Sequence, residues 1–341
     1  MKLLVFTQKI DKDDATLGFF HSWITHLASK IESIEVICLE KGNFSLPKNV
    51  TVYSLGKEDG VSSLKYIKNL YKYLFLIKNS YDRVFVHMNQ EYVLLAGLYW
   101  KLKDIPVYMW RNHPKGSFLT SIAVMFSTKV FCTSKASFTA RFSKTMIMPV
   151  GIDTNIFSHT EGAVRKKYSI CMVGRISPIK YIELALEAVR NIVASGGQVS
   201  LSIIGNPTDR DTEYFSNLEN YVLENNISTC VSFIKAVPQS QLPEIYNSHE
   251  ICLNLTESGS FDKTIVEATA CGAIPLVSNL SLQGILPDVC LVSNKVESII
   301  SGISKIFDPG VRVDIRKDLE KFVELNSLDN LVSDLIKEFS N

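Results

Sequence analysis

Short apolar runs recur along the chain, each closed by a polar or glycine-containing turn and followed by a segment with helical spacing, so the pattern predicts strands and helices in alternation. In the first half it predicts strands at Lys2 to Thr7, Glu35 to Leu39, Thr51 to Ser54, Arg83 to His87, Val107 to Trp110, Lys129 to Thr133 and Thr145 to Met148. Helices are expected near Gly18 to Ser29, Ser62 to Asn79 and Glu91 to Leu102. Pro149, Val150, Gly151, Ile152 and Asp153 form a turn-prone linker. Beyond it a second series of strands follows, at Ser169 to Val173, Ser200 to Ile204, Val231 to Ile234, Glu250 to Asn254 and Ile274 to Ser278, with a helix from about Tyr181 to Ala194 and another from about Leu328 to Phe339. The order is Rossmann-like, α/β in class. The loop after the first strand, Gln8 to Gly18, lacks the glycine-rich dinucleotide fingerprint, which argues against a nicotinamide dehydrogenase.

Length and composition suit two domains: 341 residues with 46% hydrophobic content can bury two cores. The seven cysteines are scattered through apolar runs without a Cys-x-x-Cys pair, as expected for buried thiols in a reducing, cytoplasmic setting. Met1 to Thr7 reads as a strand and not as a signal peptide, and the longest apolar stretch, Tyr92 to Leu102, falls short of the roughly twenty residues of a spanning helix. The sequons at Asn49 and Asn254 then carry no meaning.

Charge divides the chain. Residues 1–150 hold 20 Lys and Arg against 11 Asp and Glu, a balance of +9, and the remainder holds 16 against 24, a balance of −8. A basic first half suits an anionic surface or acceptor. The segment Ser62 to Asn79 interleaves Lys65, Lys68, Lys72 and Lys78 with Tyr66, Leu70, Tyr71, Leu74 and Phe75 and predicts a basic amphipathic helix. Two readings stand: a crossover helix with solvated lysines, and peripheral contact with an anionic membrane. No recognisable nucleic-acid motif accompanies the charge, so nucleic acid is not an expected partner.

Candidate chemistry lies in the second half. Ser258, Gly259 and Ser260 form a small-residue turn before a short helix that carries Glu267, followed by a buried strand ending at Val277. Such a turn lets backbone N–H groups and the helix dipole approach an anion, and a carboxylate two turns on can accept from ribose hydroxyls. Upstream, the strand Ile170 to Val173 ends at Gly174, and a basic loop supplies Arg175 and Lys180 at the sheet edge where α/β ligands bind.

The ordered elements Pro149 to Asp153, Gly174 and Arg175 with Lys180, and Gly259 to Ala268 with Cys271 and Gly272 resemble the retaining, group-1 type glycosyltransferases of family 4 over nearly the whole chain. The resemblance implies a GT-B architecture, two Rossmann-like α/β/α domains facing a deep cleft. Residues 1–150 would bind the acceptor and 151–327 the nucleotide-sugar donor, and 328–341 would form a helix returning to the first domain. It implies that Arg175 and Lys180 hold the donor diphosphate and that Glu267 binds the ribose. The family's first glutamate, eight positions earlier, is Gly259 here, so Glu257 or Asp262 is the candidate to replace it, and Lys263 can add a phosphate or sugar contact. Asp262 is read equally as a helix N-cap. Phe261 and Thr264 complete that segment. His113, after the strand ending at Trp110, corresponds by order to a histidine that contacts the transferred sugar; Gly18, His21 and His87 are acceptor-side candidates. Gly205, and Lys235 with Ala236 and Val237, end two further strands and should border the nucleotide base.

The pairs Asp11/Asp13 and Asp209/Asp211 lie in hydrophilic loops and are not read as metal ligands; the two cations supply the charge a metal would. No metal or other cofactor is expected. The expectation is a metal-independent hexosyltransferase taking a nucleotide-diphosphate sugar to a glycan or lipid-linked acceptor, cytoplasmic or peripheral on the cytoplasmic membrane face. Its rivals are a nucleotide-sugar 2-epimerase and a non-catalytic sugar-nucleotide or glycan-binding protein.

Overall fold

Two wholly parallel sheets organise the chain, one in each half. The computed structural model describes residues 1–257 and 261–340. Along the first half come β1 (Lys2–Ile10), α1 (Phe19–Ala28), β2 (Ser33–Lys41), β3 (Val50–Ser54), α2 (Ser63–Leu76), β4 (Arg83–His87), α3 (Glu91–Leu102), β5 (Val107–Trp110), α4 (Phe118–Phe126), β6 (Lys129–Cys132) and β7 (Thr145–Ile147). The second half holds β8 (Ser169–Val173), α5 (Ile182–Ala194), β9 (Ser200–Ile204), α6 (Thr212–Glu224), β10 (Val231–Ile234), α7 (Leu242–Ser248), β11 (Ile251–Asn254), α8 (Lys263–Ala270), β12 (Ile274–Val277), α9 (Val296–Phe307) and α10 (Pro309–Leu325). The last helix is α11 (Leu328–Ser340).

One compact unit comprises Met1–Asp153 and the terminal segment from Ser327, the other Thr154–Asn326. In the first, the strands run in the order β3, β2, β1, β4, β5, β6, β7. Leu3, Leu4, Val5 and Phe6 of β1 are all fully buried, because helices cover both faces and a parallel strand between them has no polar side. On one face α1 and α11 pack Phe20, Trp23, Leu331 and Phe339 against Phe85 and Tyr108 of the sheet. On the other, α2, α3 and α4 contribute Leu70, Leu74, Val93, Trp100 and Val124 to a second core. Leu328 N–H donates to the Ile152 carbonyl at 2.8 Å, and Lys129 and Glu338 form an ion pair that fastens α11 to β6.

In the second unit the order is β10, β9, β8, β11, β12. Ile170 pairs with Leu201 on one side and Ile251 on the other. Six of the seven cysteines are buried and none is bridged.

Most expected strands match within a residue or two. The first runs on to Ile10, because Lys9 and Ile10 stay paired with Glu40 and Lys41 and the Lys9 ammonium lies 2.9 Å from Asp14 and 3.0 Å from Glu40. Helix α4 is not among the predicted helices: its nine uncharged residues, seven of them apolar, show no clear period, and its start rests on a reciprocal capping box between Ser117 and Thr120.

Gly151 has a left-handed φ of 75°, its carbonyl accepts from Trp23 Nε1 at 2.9 Å, and an added Cβ would lie 2.2 Å from Leu331 Cδ2. Gly151→Ala should therefore destabilise the first unit by roughly 2 kcal/mol or more. The expected signature is a lower Tm with an unchanged circular dichroism spectrum at room temperature.

Candidate active site

In the second unit the strand order departs from β8 in both directions, so the loops after β8 and β11 part at the sheet's C-terminal edge and leave a crevice between them. Gly174 closes β8 with its N–H on the Ile204 carbonyl at 3.0 Å. A Cβ on Gly205 would lie 1.9 Å from the Gly174 carbonyl oxygen, so these two strand ends meet only as backbone. A small recess lined by Gly174, Arg175, Lys180, Leu253 and Asn254 opens at this seam.

Two cations reach it in different states. Arg175 is exposed, its guanidinium without a hydrogen-bond or ion-pair partner among the described residues. Lys180 is held: its Nζ lies 2.5 Å from Asp262 Oδ2 and 2.9 Å from Thr256 Oγ1. The same Asp262 oxygen accepts from Asn254 Nδ2 at 3.0 Å and from Thr256 Oγ1 at 3.2 Å. Burial alone would push the Asp262 carboxyl up, but the Lys180 charge and the hydrogen bonds from Lys180, Asn254 and Thr256 hold it below the usual carboxylate range. Asp262 occupies the N-cap position of α8, yet its side chain makes no capping bond.

Behind this cluster Glu267 is 4% exposed and accepts from Tyr246 Oη at 3.3 Å. Lys263 sits one helical turn before it. Burial pushes the Glu267 carboxyl up and the Lys263 ammonium down, while the attraction between them opposes both shifts. Thr264 Oγ1 takes a bond from Asn254 at 3.3 Å. Phe261 stacks on buried Phe322 with ring centroids 5.9 Å apart. Glu257 is tied to the Tyr181 hydroxyl at 2.8 Å, and Tyr181, at φ 49°, ends the basic loop in the left-handed region. The expectations for Gly259 and Ser260 lie outside the described residues.

At the ends of the neighbouring strands, Asn206 Oδ1 accepts from Ala236 N–H at 3.1 Å and so ties the loop after β9 to the loop after β10. Lys235 and Ala236 are exposed and Val237 half-buried. Sequence reasoning missed Asn254, Thr256, Tyr181 and Tyr246 as parts of this site, whereas Asn206 lies in the loop after β9 that it expected to border the base. Asn254 and Thr256 had registered only as a sequon.

In the first unit the candidates are dispersed in role. His87 is buried, stacked on Phe20 at 4.1 Å, with Nδ1 3.3 Å from Thr7 Oγ1. His21 is half-buried on α1 and accepts at Nε2 from Ser45 N–H at 3.1 Å; burial pushes its pKa down. Gly18 donates its N–H to the Asp14 carbonyl at 3.0 Å at the start of α1. His113 is exposed beyond β5, its Nδ1 within 3.0 Å of Lys115 N and its carbonyl bound by Phe138 N–H.

Because the Asp262 carboxyl is depressed, the stability its ion pair contributes is present above the ordinary carboxylate pKa of about 4 and is lost as pH falls through the folded value. Asp262→Asn should lower stability at pH 7 by roughly 1–3 kcal/mol, and the gap between the two proteins should close on acid titration. A gap of the same size at every pH would show that the pair is not ionised.

Residues 153–286 match the model of the family described as Glycosyl transferases group 1. The chain is 26% identical over 147 residues to the D-inositol 3-phosphate glycosyltransferase of Geodermatophilus obscurus and 27% identical over 113 residues to D-inositol 3-phosphate glycosyltransferase 2 of Catenulispora acidiphila. These matches cover 40% and 32% of this chain, and the chain spans only 32% and 26% of those relatives. Among solved structures it resembles Anabaena HepE in complex with UDP (TM-score 0.80, 15% identity, all of both chains). It also resembles sucrose-phosphate synthase from Thermosynechococcus elongatus (TM-score 0.76, 16% identity, 100% of this chain and 98% of the other). Residues 153–286 thus resemble the Glycosyl transferases group 1 family, in a chain whose two-sheet α/β fold is the GT-B architecture.

Proposed function

We propose that the chain is a retaining, metal-independent glycosyltransferase of family 4, moving a hexose from a nucleotide-diphosphate sugar to a hydroxyl of a glycan or lipid-linked acceptor in envelope or polysaccharide synthesis. The observation that carries the reading is the convergence of Arg175 and Lys180 at the seam between β8 and β11, with buried Glu267 behind them. HepE, a structural neighbour, was solved with UDP and with UDP-glucose, in keeping with a nucleotide-sugar donor. The protein works in the cytoplasm and peripherally at the cytoplasmic membrane face.

The chemistry follows from the charges. A diphosphate arriving at the seam meets the open fork of Arg175 and draws Lys180 away from Asp262, exchanging a carboxylate for a more highly charged partner. As the sugar–oxygen bond breaks, charge grows on the departing diphosphate, and both cations stabilise it more than they stabilise the bound donor. Glu267 accepts from the ribose hydroxyls. The acceptor hydroxyl attacks from the face the diphosphate leaves, and a phosphate oxygen takes its proton, so configuration is retained without a protein nucleophile. Lys180 and Arg175 fill the role a divalent ion would otherwise have at the leaving group.

A nucleotide-sugar panel should raise the Tm with one preferred donor, and transfer should require an acceptor. Arg175→Ala should lower kcat/KM by ~100-fold or more while the Tm stays where it was, since the side chain holds nothing in place; unchanged turnover would refute the assignment. Lys180→Ala should lose both turnover and Tm, because Asp262 is left without its ammonium partner. Chelation by EDTA should leave the rate unaltered, and a collapse restored by manganese would overturn metal independence.

A further inference from the structure

The outer face of the helices α2, α3 and α4 stays apolar where a helix layer normally turns polar. Helix α2 buries Leu70 and Leu74 against the sheet, as its crossover position demands. A flank beside that buried stripe carries Leu64, Ile67, Tyr71 and Phe75, spaced three and four residues apart, all exposed. Helix α3 repeats the arrangement, with Val93 and Trp100 buried and Leu95, Leu98 and Leu102 outside. Helix α4 buries Ala123 and Val124 and exposes Phe118, Leu119 and Met125. Among the described residues, 12 of the 25 exposed large apolar side chains fall on these three helices. Phe75, Leu102 and Phe118 are 73%, 75% and 79% exposed.

The three outer faces are neighbours. Tyr71 Oη of α2 donates to the Leu95 carbonyl of α3 at 2.8 Å, and Gly97 of α3 lets Phe126 of α4 approach so closely that an added Cβ would lie 2.8 Å from its Cβ. The charge on this layer is mostly positive. Helix α2 has Lys65, Lys68 and Lys72 and no acidic residue, and residues 62–126 carry nine Lys and Arg against three Asp and Glu, a balance of +6. Lys78 Nζ lies 4.5 Å from the Phe75 ring centroid and Lys101 Nζ 5.9 Å from that of Phe126, the ammonium beside apolar surface.

Exposed apolar side chains interleaved with lysines fit one environment, the boundary between acyl chains and anionic headgroups. No helix among the described residues is long and apolar enough to cross a membrane, so the helices would lie on the bilayer. We propose that the outer face of α2, α3 and α4 docks on an anionic lipid bilayer, with Phe75, Leu102 and Phe118 entering the headgroup boundary and Lys65, Lys68, Lys72 and Lys78 meeting lipid phosphates. A second copy of the chain is a poorer occupant, because a self-complementary contact would set lysine rows of the same sign together. The inference rests on the peripheral membrane reading above and names its surface.

Vesicle co-sedimentation tests it, with phosphatidylcholine alone and with added phosphatidylglycerol. The full chain should bind the anionic vesicles and be released by salt. Phe75→Ser, Leu102→Ser and Phe118→Ser combined should weaken binding at least ~10-fold, and Lys65→Glu, Lys68→Glu and Lys72→Glu combined by ~100-fold or more. Both variants should keep the parent Tm, since these side chains stand in solvent. Binding to neither vesicle would overturn the membrane reading itself, glycosyl transfer being assayed separately. Strong binding by both variants would keep the membrane reading and overturn this face. A concentration-dependent dimer, formed without lipid and lost in the serine variant, would assign the face to self-association and also overturn the proposal.

Discussion

Laying parallel strands outward from one founding strand in two directions forces consecutive loops apart at a single seam, and in the second unit that seam lies between β8 and β11. Every charged group of the candidate site depends on it. Lys180 and Asp262 are 82 positions apart in sequence, yet they share a proton-bearing contact because their strands are neighbours. On the other side of β8, the ends of β8 and β9 meet so closely at Gly174 and Gly205 that any side chain on Gly205 would push them apart.

The seam is not a bare row of positive charges. One cation is open to solvent and the other is neutralised by a carboxylate of the same unit, and a second lysine and glutamate sit one turn apart behind them. In a half of the chain with eight more acidic than basic residues, this arrangement orients a lysine without leaving its charge uncompensated. It also makes occupancy competitive. Under the proposed reading, an entering ligand displaces Asp262 only if it offers Lys180 more charge than one carboxylate does, which favours a diphosphate over a singly charged group.

Much of the fold was legible because its strands are continuous apolar runs closed by glycine or polar turns; β4, β5, β8, β9 and β10 fall where those runs end. Sequence spacing could locate Arg175, Lys180 and Glu267 but not their partners, because strand neighbours are chosen by topology and not by distance along the chain. Asp262 illustrates the limit: local rules read it as a helix cap, and a long-range lysine claimed the carboxylate instead. His87 stood out as a polar residue at a strand end, and only the packing of Phe20 and Trp23 around it shows a core side chain. Periodicity predicted an apolar side for α2 and could not reveal that the fold leaves a flank of it uncovered.

The return of α11 to the first unit makes that unit discontinuous in sequence. The chain leaves after Asp153 and comes back at Ser327, where Ile152 and Ser327 are bridged as neighbours. During synthesis the second unit can be completed as one continuous stretch, whereas the core around Trp23, Phe85 and Tyr108 stays open until Leu331, Leu335 and Phe339 emerge. The first unit is therefore completed after the second, and its sheet face stays uncovered until α11 has been made.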